Sequence, residues 1–341
     1  QDNILSFEAL QAHQQQAWYS FLVQLAAMAV ARESGGTMPA GVEGWRGALV
    51  GLAGGDEAAW HLVVEDVSRP AFLQSPVPEG SLEDAGYDSK VPTPDQLDML
   101  ITSKNHDLKP HRITHPQPEH WIYALVTLQT MEGYLGPGNY GIVRMNGGSS
   151  NRPMVGLAQN LTWGDRFNRD IEVLLDYREE ITGRYNYNSH GLALLWTEDW
   201  SGAKDDTINI HDCDPYFVEI CRRIRFTQEE SILKCSRTTT NNYRVYPKSK
   251  DLDGITGDPW TPIDKSEDKA LTLDGSGFTY ERLQAIFLSG NYVQPPALEF
   301  HDTDSGRLYL TAQALVRGQG ETEGLHHRIV PRGFPGRVSL L

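Results

Sequence analysis

A short acidic segment of the chain has the residue types of a divalent metal site. The potential ligands between positions 205 and 214 are Asp205, Asp206, His211, Asp212, Cys213 and Asp214. Carboxylates and an imidazole around a metal ion could activate a water molecule, which is the chemistry of a metal-dependent nuclease or hydrolase. The spacing matches no metalloenzyme motif, however, and an acidic surface loop has the same composition. We therefore keep this activity as the alternative hypothesis and expect no metal, no cofactor and no catalytic residue.

A glycine-rich segment, residues 136–153, has a composition that suits contact with nucleic acid. It contains a turn of Asn146, Gly147, Gly148, Ser149 and Ser150, flanked by Arg144 and Arg152. Glycine lets another backbone approach closely, and amides, hydroxyls and guanidiniums can bind phosphates or a groove. The segment has neither the Gly-Lys-Ser/Thr ending of a phosphate-binding loop nor the dinucleotide-binding spacing. Composition alone explains the segment equally well as a structural turn.

The densest basic stretch contains Arg222, Arg223 and Arg225 and is followed by Tyr243 and Tyr246. Cations that track a phosphate backbone, together with aromatic rings that stack on bases, are typical of single-strand binding. The same arginines could instead balance nearby acidic residues on a helix surface. Both interpretations stay open at this point.

The net charge of the chain limits its possible role on DNA. With 30 Lys and Arg against 45 Asp and Glu, the formal charge is −15. DNA-binding proteins usually gain their affinity by neutralising phosphates, so a chain this acidic repels DNA at long range. Any contact with nucleic acid must be local, and partner subunits must supply most of the electrostatic affinity.

Size and composition indicate a globular chain of one or two domains. The 341 residues include 39 % hydrophobic residues and only three cysteines, which we interpret as buried free thiols in a reducing cytoplasm. No apolar run is long enough to span a bilayer, so we expect no membrane contact.

Hydrophobic periodicity predicts several helices. We expect one from an N-cap at Ser6 to Gly35, and the others over 45–53, 95–101, 119–131 and 165–181. Strands are expected at 61–65, 192–196, 243–246 and 307–310. Prolines between positions 70 and 94 predict a long irregular stretch. Helices and strands do not alternate, so the predicted fold class is α+β, a large mixed domain with long loops.

Five segments resemble, in the same order, the CasA family, the large subunit of the type I-E CRISPR Cascade complex. They are residues 64–74, 102–109, 138–153, 258–262 and 315–328. The resemblance implies a CasA-like domain over residues 1–330, with 331–341 at the start of the connection to the family's C-terminal four-helix bundle. That bundle either follows the given sequence or is absent because the protein is a compact variant. The resemblance also implies a protein that is not an enzyme.

The resemblance assigns roles to individual residues. The turn at 146–150 would lie in the minor groove of the protospacer-adjacent motif, and Lys269, or as second choice Lys265, would reach base edges there. Residues 317–322 would form a wedge that starts strand separation. Lys104, Asn105 and His106 would contact the 5′ handle of the guide RNA and a neighbouring subunit.

The wedge departs from the family pattern. The position of the family's glutamine falls near Glu321, beside Thr322, and a carboxylate is unfavourable against DNA phosphates. Gln319 could serve in its place. The minor groove presents a degenerate pattern that backbone, Asn, Gln and Lys can read, which agrees with the residues assigned here.

We therefore expect a subunit that recognises the adjacent motif in double-stranded DNA and promotes duplex opening and R-loop formation for antiviral defence. The implied partners are the guide RNA handle, the target duplex, and the backbone, small and handle-binding subunits of Cascade. Cleavage would belong to a separate nuclease partner.

Overall fold

The computed structural model describes residues 6–98, 113–147, 150–230, 232–318 and 321–332. The α-helices are α1 (Gln15–Glu33), α2 (Gly41–Leu52), α3 (Pro94–Leu97), α4 (Pro118–Met131), α5 (Trp163–Tyr185), α6 (Ser249–Leu252) and α7 (Tyr280–Leu288). The strands are β1 (Ser89–Val91), β2 (Met154–Ala158), β3 (Leu192–Leu194), β4 (Ile208–Asn209), β5 (Cys213–Val218), β6 (Arg223–Glu229), β7 (Ile232–Thr238), β8 (Val245–Tyr246), β9 (Ile263–Asp264), β10 (Lys269–Ala270), β11 (Tyr292–Val293), β12 (Leu308–Gly318) and β13 (Glu321–Arg332). Helices and small sheets occur together without alternating, so the predicted α+β class is confirmed.

The first helix begins later than predicted. A turn at Phe7 and a short 3-10 helix, Ala12–Gln14, precede α1, which starts at Gln15. The Phe7 ring lies 5.8 Å from the ring of Trp18 and 5.2 Å from that of Trp163. A continuous helix would separate residues 7 and 18 by about 16 Å, so this aromatic packing requires the chain to fold back. The predicted N-cap at Ser6 is therefore wrong.

The other long helices lie close to their predicted positions. The α4 helix matches 119–131 within one residue, and α2 and α5 overlap 45–53 and 165–181. The hydroxyl of Thr162 accepts a hydrogen bond from the Asp165 backbone N–H and caps α5. The predicted turn over 95–101 is shorter, since α3 ends at Leu97.

The predicted strand at 61–65 is absent. The His61 carbonyl accepts from the Phe72 N–H at 2.9 Å, and the Leu62 carbonyl accepts from the Gln74 side chain at 2.8 Å. These bonds satisfy the backbone of this apolar segment in a loop, so it needs no neighbouring strand. The other three predicted strands are confirmed in part by β3, β8 and the start of β12.

In the ranges that the structure describes, the strands form three three-stranded sheets and two strand pairs. The sheet orders are β1-β7-β6, β10-β9-β11 and β13-β12-β2, all antiparallel, and the parallel pairs are β3-β5 and β4-β8. The β12–β13 hairpin is the longest pairing, running from Leu308↔Arg332 to Gly318↔Glu321. Its tip is the segment that we predict to form the wedge.

Two hydrophobic cores hold these elements together. The larger surrounds α1, which is buried on most sides, and includes the fully buried Trp121, Trp196 and Trp260. The smaller lies between β2, β12 and α7. All three cysteines are buried free thiols, as predicted. No helix in the described part of the chain is long and apolar enough to cross a membrane.

Candidate nucleic-acid interface

The glycine-rich segment enters the protein interior at residues 141–145, just before it reaches the turn. Ile142, Val143 and Met145 are buried, and the Val143 N–H donates to the Glu219 carboxylate at 2.9 Å. A Cβ on Gly141 would lie 2.4 Å from the carbonyl carbon of Gly133. Glycine at position 141 therefore serves close packing within the chain.

Arg144 is a structural residue, which corrects its expected role in DNA binding. Its side chain is 2 % exposed, with the guanidinium 4.0 Å from the Phe217 ring centroid. It forms ion pairs with Glu219 at 3.6 Å and with Asp258 at 3.8 Å. Burial raises the pKa of Glu219, and the Arg144 charge opposes that shift. A guanidinium enclosed in this way has no surface left for a phosphate.

Arg152 is also a structural residue, so its expected role in DNA binding is corrected too. It is 3 % exposed, and its Nε donates to Asp258 Oδ2 at 2.6 Å. Asp258 also accepts hydrogen bonds from the Trp260 and Thr261 backbone N–H groups. Arg144 and Arg152 thus share one buried carboxylate and fix the two ends of the turn from inside the protein.

The turn itself is held by hydrogen bonds at both ends. The Ser150 hydroxyl donates to the Asn146 carbonyl, and the Asn146 amide donates to the Ala270 carbonyl at 3.5 Å. Asn151 forms a pair of hydrogen bonds with the Leu273 backbone, at 2.7 and 3.0 Å. These bonds join the turn to β10 and the chain that follows it. Gly148 and Ser149 lie outside the described residues.

Gly147 packs against the protein itself. A Cβ at this position would lie 2.9 Å from the Lys250 Cα, and Gly147 does not adopt a positive φ. Glycine at position 147 therefore lets a backbone approach closely, as expected, but that backbone is α6 of the same chain. Bulkier residues at Gly147 would disturb α6 before they disturbed any DNA contact.

Packing of α6 on the turn brings three lysines to one region. Lys250 is exposed, and Lys248 and Lys269 are half-buried. The Ala270 N–H donates to the Asp253 carbonyl at 2.9 Å, which ties β10 to the residue that ends α6. We call Lys248, Lys250 and Lys269 the turn lysines. Lys248 and Lys250 were missed from sequence, although four of the nine lysines of the chain fall at positions 248, 250, 265 and 269.

The β12–β13 hairpin, near its tip, contacts the chain that follows β10. Gly318 pairs with Glu321, and Arg317 pairs with Thr322 across the hairpin. A Cβ on Gly275 would lie 3.2 Å from the Glu323 side chain of the hairpin. Gly275 follows Leu273 by two residues, and Leu273 is hydrogen-bonded to Asn151 at the end of the turn. Arg317 is 8 % exposed and forms a 2.5 Å ion pair with Glu132, so it anchors the hairpin.

Several residues that we predicted to bind nucleic acid are not among those that the structure brings together at the turn. Gln319 and the loop with Lys104, Asn105 and His106 lie outside the described residues. Glu321 and Thr322 are half-buried at the start of β13.

The basic stretch at 222–225 does not form a strand-binding surface. Arg222, Arg223 and Arg225 are 8 %, 5 % and 0 % exposed. The stretch lies at the start of β6, so the idea of a helix surface is also wrong. Burial lowers the pKa of Arg225 to about 10, and its guanidinium donates to the Ser75 and Asp66 carbonyls. Of the two tyrosines, Tyr243 is buried and Tyr246 is 55 % exposed.

The acidic segment is divided among separate contacts. Asp214 is 0 % exposed and pairs with Arg178 at 2.5 Å, and Asp206 pairs with Arg244 at 2.8 Å. His211 Nδ1 lies 3.0 Å from the Asn186 carbonyl oxygen. Within the described ranges, no group of three or more His, Cys, Asp or Glu side chains could hold a metal ion. The segment therefore does not form the site that metal-dependent hydrolysis would require there.

Comparison with known proteins shows the fold. No protein-family model and no curated protein sequence matches the chain. Two solved structures of Thermus thermophilus CasA match with TM-scores of 0.55 and 0.53, each at 11 % identity over 93 % of this chain. A CRISPR associated protein from the same organism matches with a TM-score of 0.51, at 12 % identity over 93 % of this chain. The chain spans 66 %, 63 % and 64 % of those proteins, less than two thirds of their length.

Proposed function

We propose that this chain is the large subunit of a type I-E Cascade complex, which recognises the protospacer-adjacent motif in duplex DNA and starts its opening. One observation carries the proposal. On a fold shared with CasA, the turn at 146–150 meets α6 and the β9–β10 hairpin, bringing amide, backbone and lysine groups to one region. Such groups suit contact with a minor groove and its flanking phosphates.

The roles within the proposed interface differ by segment. The turn at 146–150 and Lys269 read the groove, while Lys248 and Lys250 bind phosphates beside it. The tip of the β12–β13 hairpin enters the duplex as a wedge, with Gln319 in place of the carboxylate at Glu321. Thr322 supports the tip.

Docking is proposed for the loop at 102–109. Its Lys104, Asn105 and His106 suit phosphate and base edges of RNA, here the 5′ handle of the guide. The other proposed partners are the backbone, small and handle-binding subunits and a separate nuclease. The large subunit itself is non-catalytic in this proposal.

Charge supports a division of labour between subunits. The net charge is −15, so the isolated chain gains little from phosphate neutralisation. Base pairing by the guide reads the target, while the protein tests a short motif and nucleates opening. The complex, rather than this chain, supplies most of the affinity.

The direct experiment compares three DNA targets on a complex assembled with or without this chain. The targets are a closed duplex with the motif, a closed duplex without it, and a pre-opened target. We expect the chain to be required for the closed duplex with the motif and dispensable for the pre-opened target, which needs no melting. Equal binding of the motif-bearing closed duplex with and without the chain would contradict the proposal.

A further inference from the structure

The loop at 254–257, which packs against the turn at 146–150, also lines a polar cleft. The cleft has a volume of about 570 Å³ and lies between α5 and the loops at 254–265 and 290–299. Cavities of roughly 300–1,000 Å³ hold small organic ligands in proteins. A Cβ on Gly254 would lie 2.5 Å from the Asn146 nitrogen, so the loop at 254–257 contacts the turn and lines the cleft.

One residue that lines this cleft has a buried hydroxyl without a hydrogen-bond partner among the described residues. Thr256 is 2 % exposed and lines the cleft, and its Oγ1 is unpaired in that part of the chain. Its carbonyl accepts a hydrogen bond from the Tyr187 hydroxyl at 2.7 Å, which fixes the backbone at this position. A buried polar group without a partner is destabilising, so a polar ligand atom beside Oγ1 would gain a hydrogen bond and relieve that cost.

Three half-buried tyrosines, Tyr177, Tyr185 and Tyr292, also line the cleft. The Tyr185 ring is held against Gly257, where a Cβ would lie 2.7 Å from its Cδ2. Gly257 has a φ of +70°, so both the close approach and the conformation require glycine. Partly exposed aromatic rings can serve as a platform for stacking a nucleic-acid base.

The charged residues of the cleft complement the remaining parts of a nucleotide. Arg184 and Lys265 are exposed and can bind a phosphate. Arg184 also pairs with Glu180 of the same lining at 3.8 Å, and its guanidinium lies 5.6 Å from the Tyr185 ring centroid, so a phosphate would compete with the exposed Glu180 carboxylate. Lys265 Nζ donates to the Gly290 carbonyl at 2.8 Å, which positions the ammonium and leaves further N–H donors. The half-buried Glu299 carboxylate can accept a hydrogen bond from the amino group of a base.

We propose that this cleft binds a single nucleotide whose base carries an exocyclic amino group. The base stacks on a tyrosine and hydrogen-bonds to Thr256 and Glu299, while its phosphate lies at Arg184 and Lys265. The nucleotide is an unpaired residue of a DNA strand or a free nucleotide. Only the first source rests on the proposed function, because it places an opened strand beside the turn.

Titration calorimetry with the isolated chain tests the site without any other subunit. We expect dCMP to bind with a Kd between about 10 µM and 1 mM, as its size allows. Deoxyribose 5-phosphate, which has no base, should show no measurable binding. Thymidine monophosphate, without an amino group, should bind about three- to tenfold more weakly than dCMP.

The decisive variant is Thr256→Val, which removes the hydroxyl and keeps the shape of the side chain. Replacing an unpaired buried hydroxyl should leave the melting temperature unchanged or higher, while the Kd for dCMP rises about three- to tenfold. Thr272→Val is the matched control, because the Thr272 hydroxyl is also buried and unpaired among the described residues but Thr272 does not line the cleft. Absence of dCMP binding, or equal binding by both variants, would overturn the proposal.

A second titration identifies the source of the nucleotide. A single-stranded deoxycytidine pentamer that binds more tightly than dCMP assigns the site to a DNA strand. Equal or weaker binding of the pentamer assigns it to a free nucleotide. The chain alone is used, so these results stand even if it fails to assemble with Cascade subunits.

Discussion

Arginine and lysine have different positions in this protein. Nine arginines in the described part of the chain are buried, namely Arg144, Arg152, Arg169, Arg178, Arg222, Arg223, Arg225, Arg244 and Arg317. None of the seven lysines in the described ranges is buried. The guanidinium has five donors in a planar fork and can satisfy several buried carbonyls and carboxylates at once, whereas the ammonium is strongly hydrated. Every described lysine therefore keeps its charge at least partly exposed, whereas the buried arginines serve the protein interior.

Arg152→Ala tests the structural role of this arginine. Removing the guanidinium leaves the buried Asp258 carboxylate without its closest partner, so the chain should lose about 3–5 kcal/mol of unfolding free energy, or fail to fold. Arg46→Ala is the control, because Arg46 and Glu57 form an exposed pair at 3.2 Å, and it should cost less than about 1 kcal/mol. Urea denaturation of the isolated chain measures both. If the Arg152→Ala chain is fully stable, assembles and loses only DNA binding, then Arg152 contacts DNA, as its sequence position first suggested.

At the level of elements, sequence periodicity located the helices that have both a buried and a solvated side. The α5 helix is of this kind, and its predicted range lies within the observed one. The α4 helix was also predicted, within one residue, although its residues 124–131 are all buried. β13 could not be predicted in the same way. Among the described residues it pairs with β12 alone, and its described side chains are exposed or half-buried, so it lacks the alternation that marks a strand. The segment at 61–65 shows the opposite error, since its apolar residues suggest a strand where hydrogen bonds from the Phe72 backbone and the Gln74 side chain hold a loop.

The contact between α6 and the turn gives the sharpest test of the proposed interface. Lys248→Ala combined with Lys250→Ala should weaken binding of closed, motif-bearing duplex by the assembled complex about tenfold or more, with assembly unchanged. The slope of log affinity against log salt should fall by up to about 2, one unit per lost phosphate contact. Filter binding across a salt series measures both quantities.

Lys204→Ala combined with Lys234→Ala is the matched control for charge. Both lysines are exposed, and neither lies in the turn region. The control should retain the affinity and the salt slope of the unmodified complex. Equal losses in the two double variants would mean that the effect reflects net charge, and the assignment of the turn lysines would be wrong.

At the scale of the whole molecule, the large core predicts how the thiols react. Cys213, Cys221 and Cys235 belong to that core, and burial raises the pKa of each to about 12. At pH 8 the thiols are protonated as well as inaccessible, so they should not react with a disulfide reagent in the folded chain. All three should become reactive over the same range of guanidinium concentration. A thiol that reacts rapidly before unfolding would contradict the packing of this core.

The fold class and the resemblance to CasA could be read from the sequence, but the packing of distant segments against one another could not. The glycine turn and Lys269 were identified from sequence, and the structure brings both near α6. The burial of Arg144 and Arg152 could not be predicted, because their partners Glu219 and Asp258 are distant in sequence. Long-range packing decides which charges face solvent, and a single sequence does not encode that packing in any local pattern.

The central claim is that this chain is a subunit of a Cascade complex, and one pull-down tests it most directly. The tagged chain is co-expressed with a guide RNA and the other Cascade subunits from the same genome, then purified through its tag. We predict that the guide RNA and the backbone subunits co-purify with it, and that omitting the guide abolishes their recovery. Recovery of the chain alone, while the remaining subunits assemble on the guide, would contradict the account.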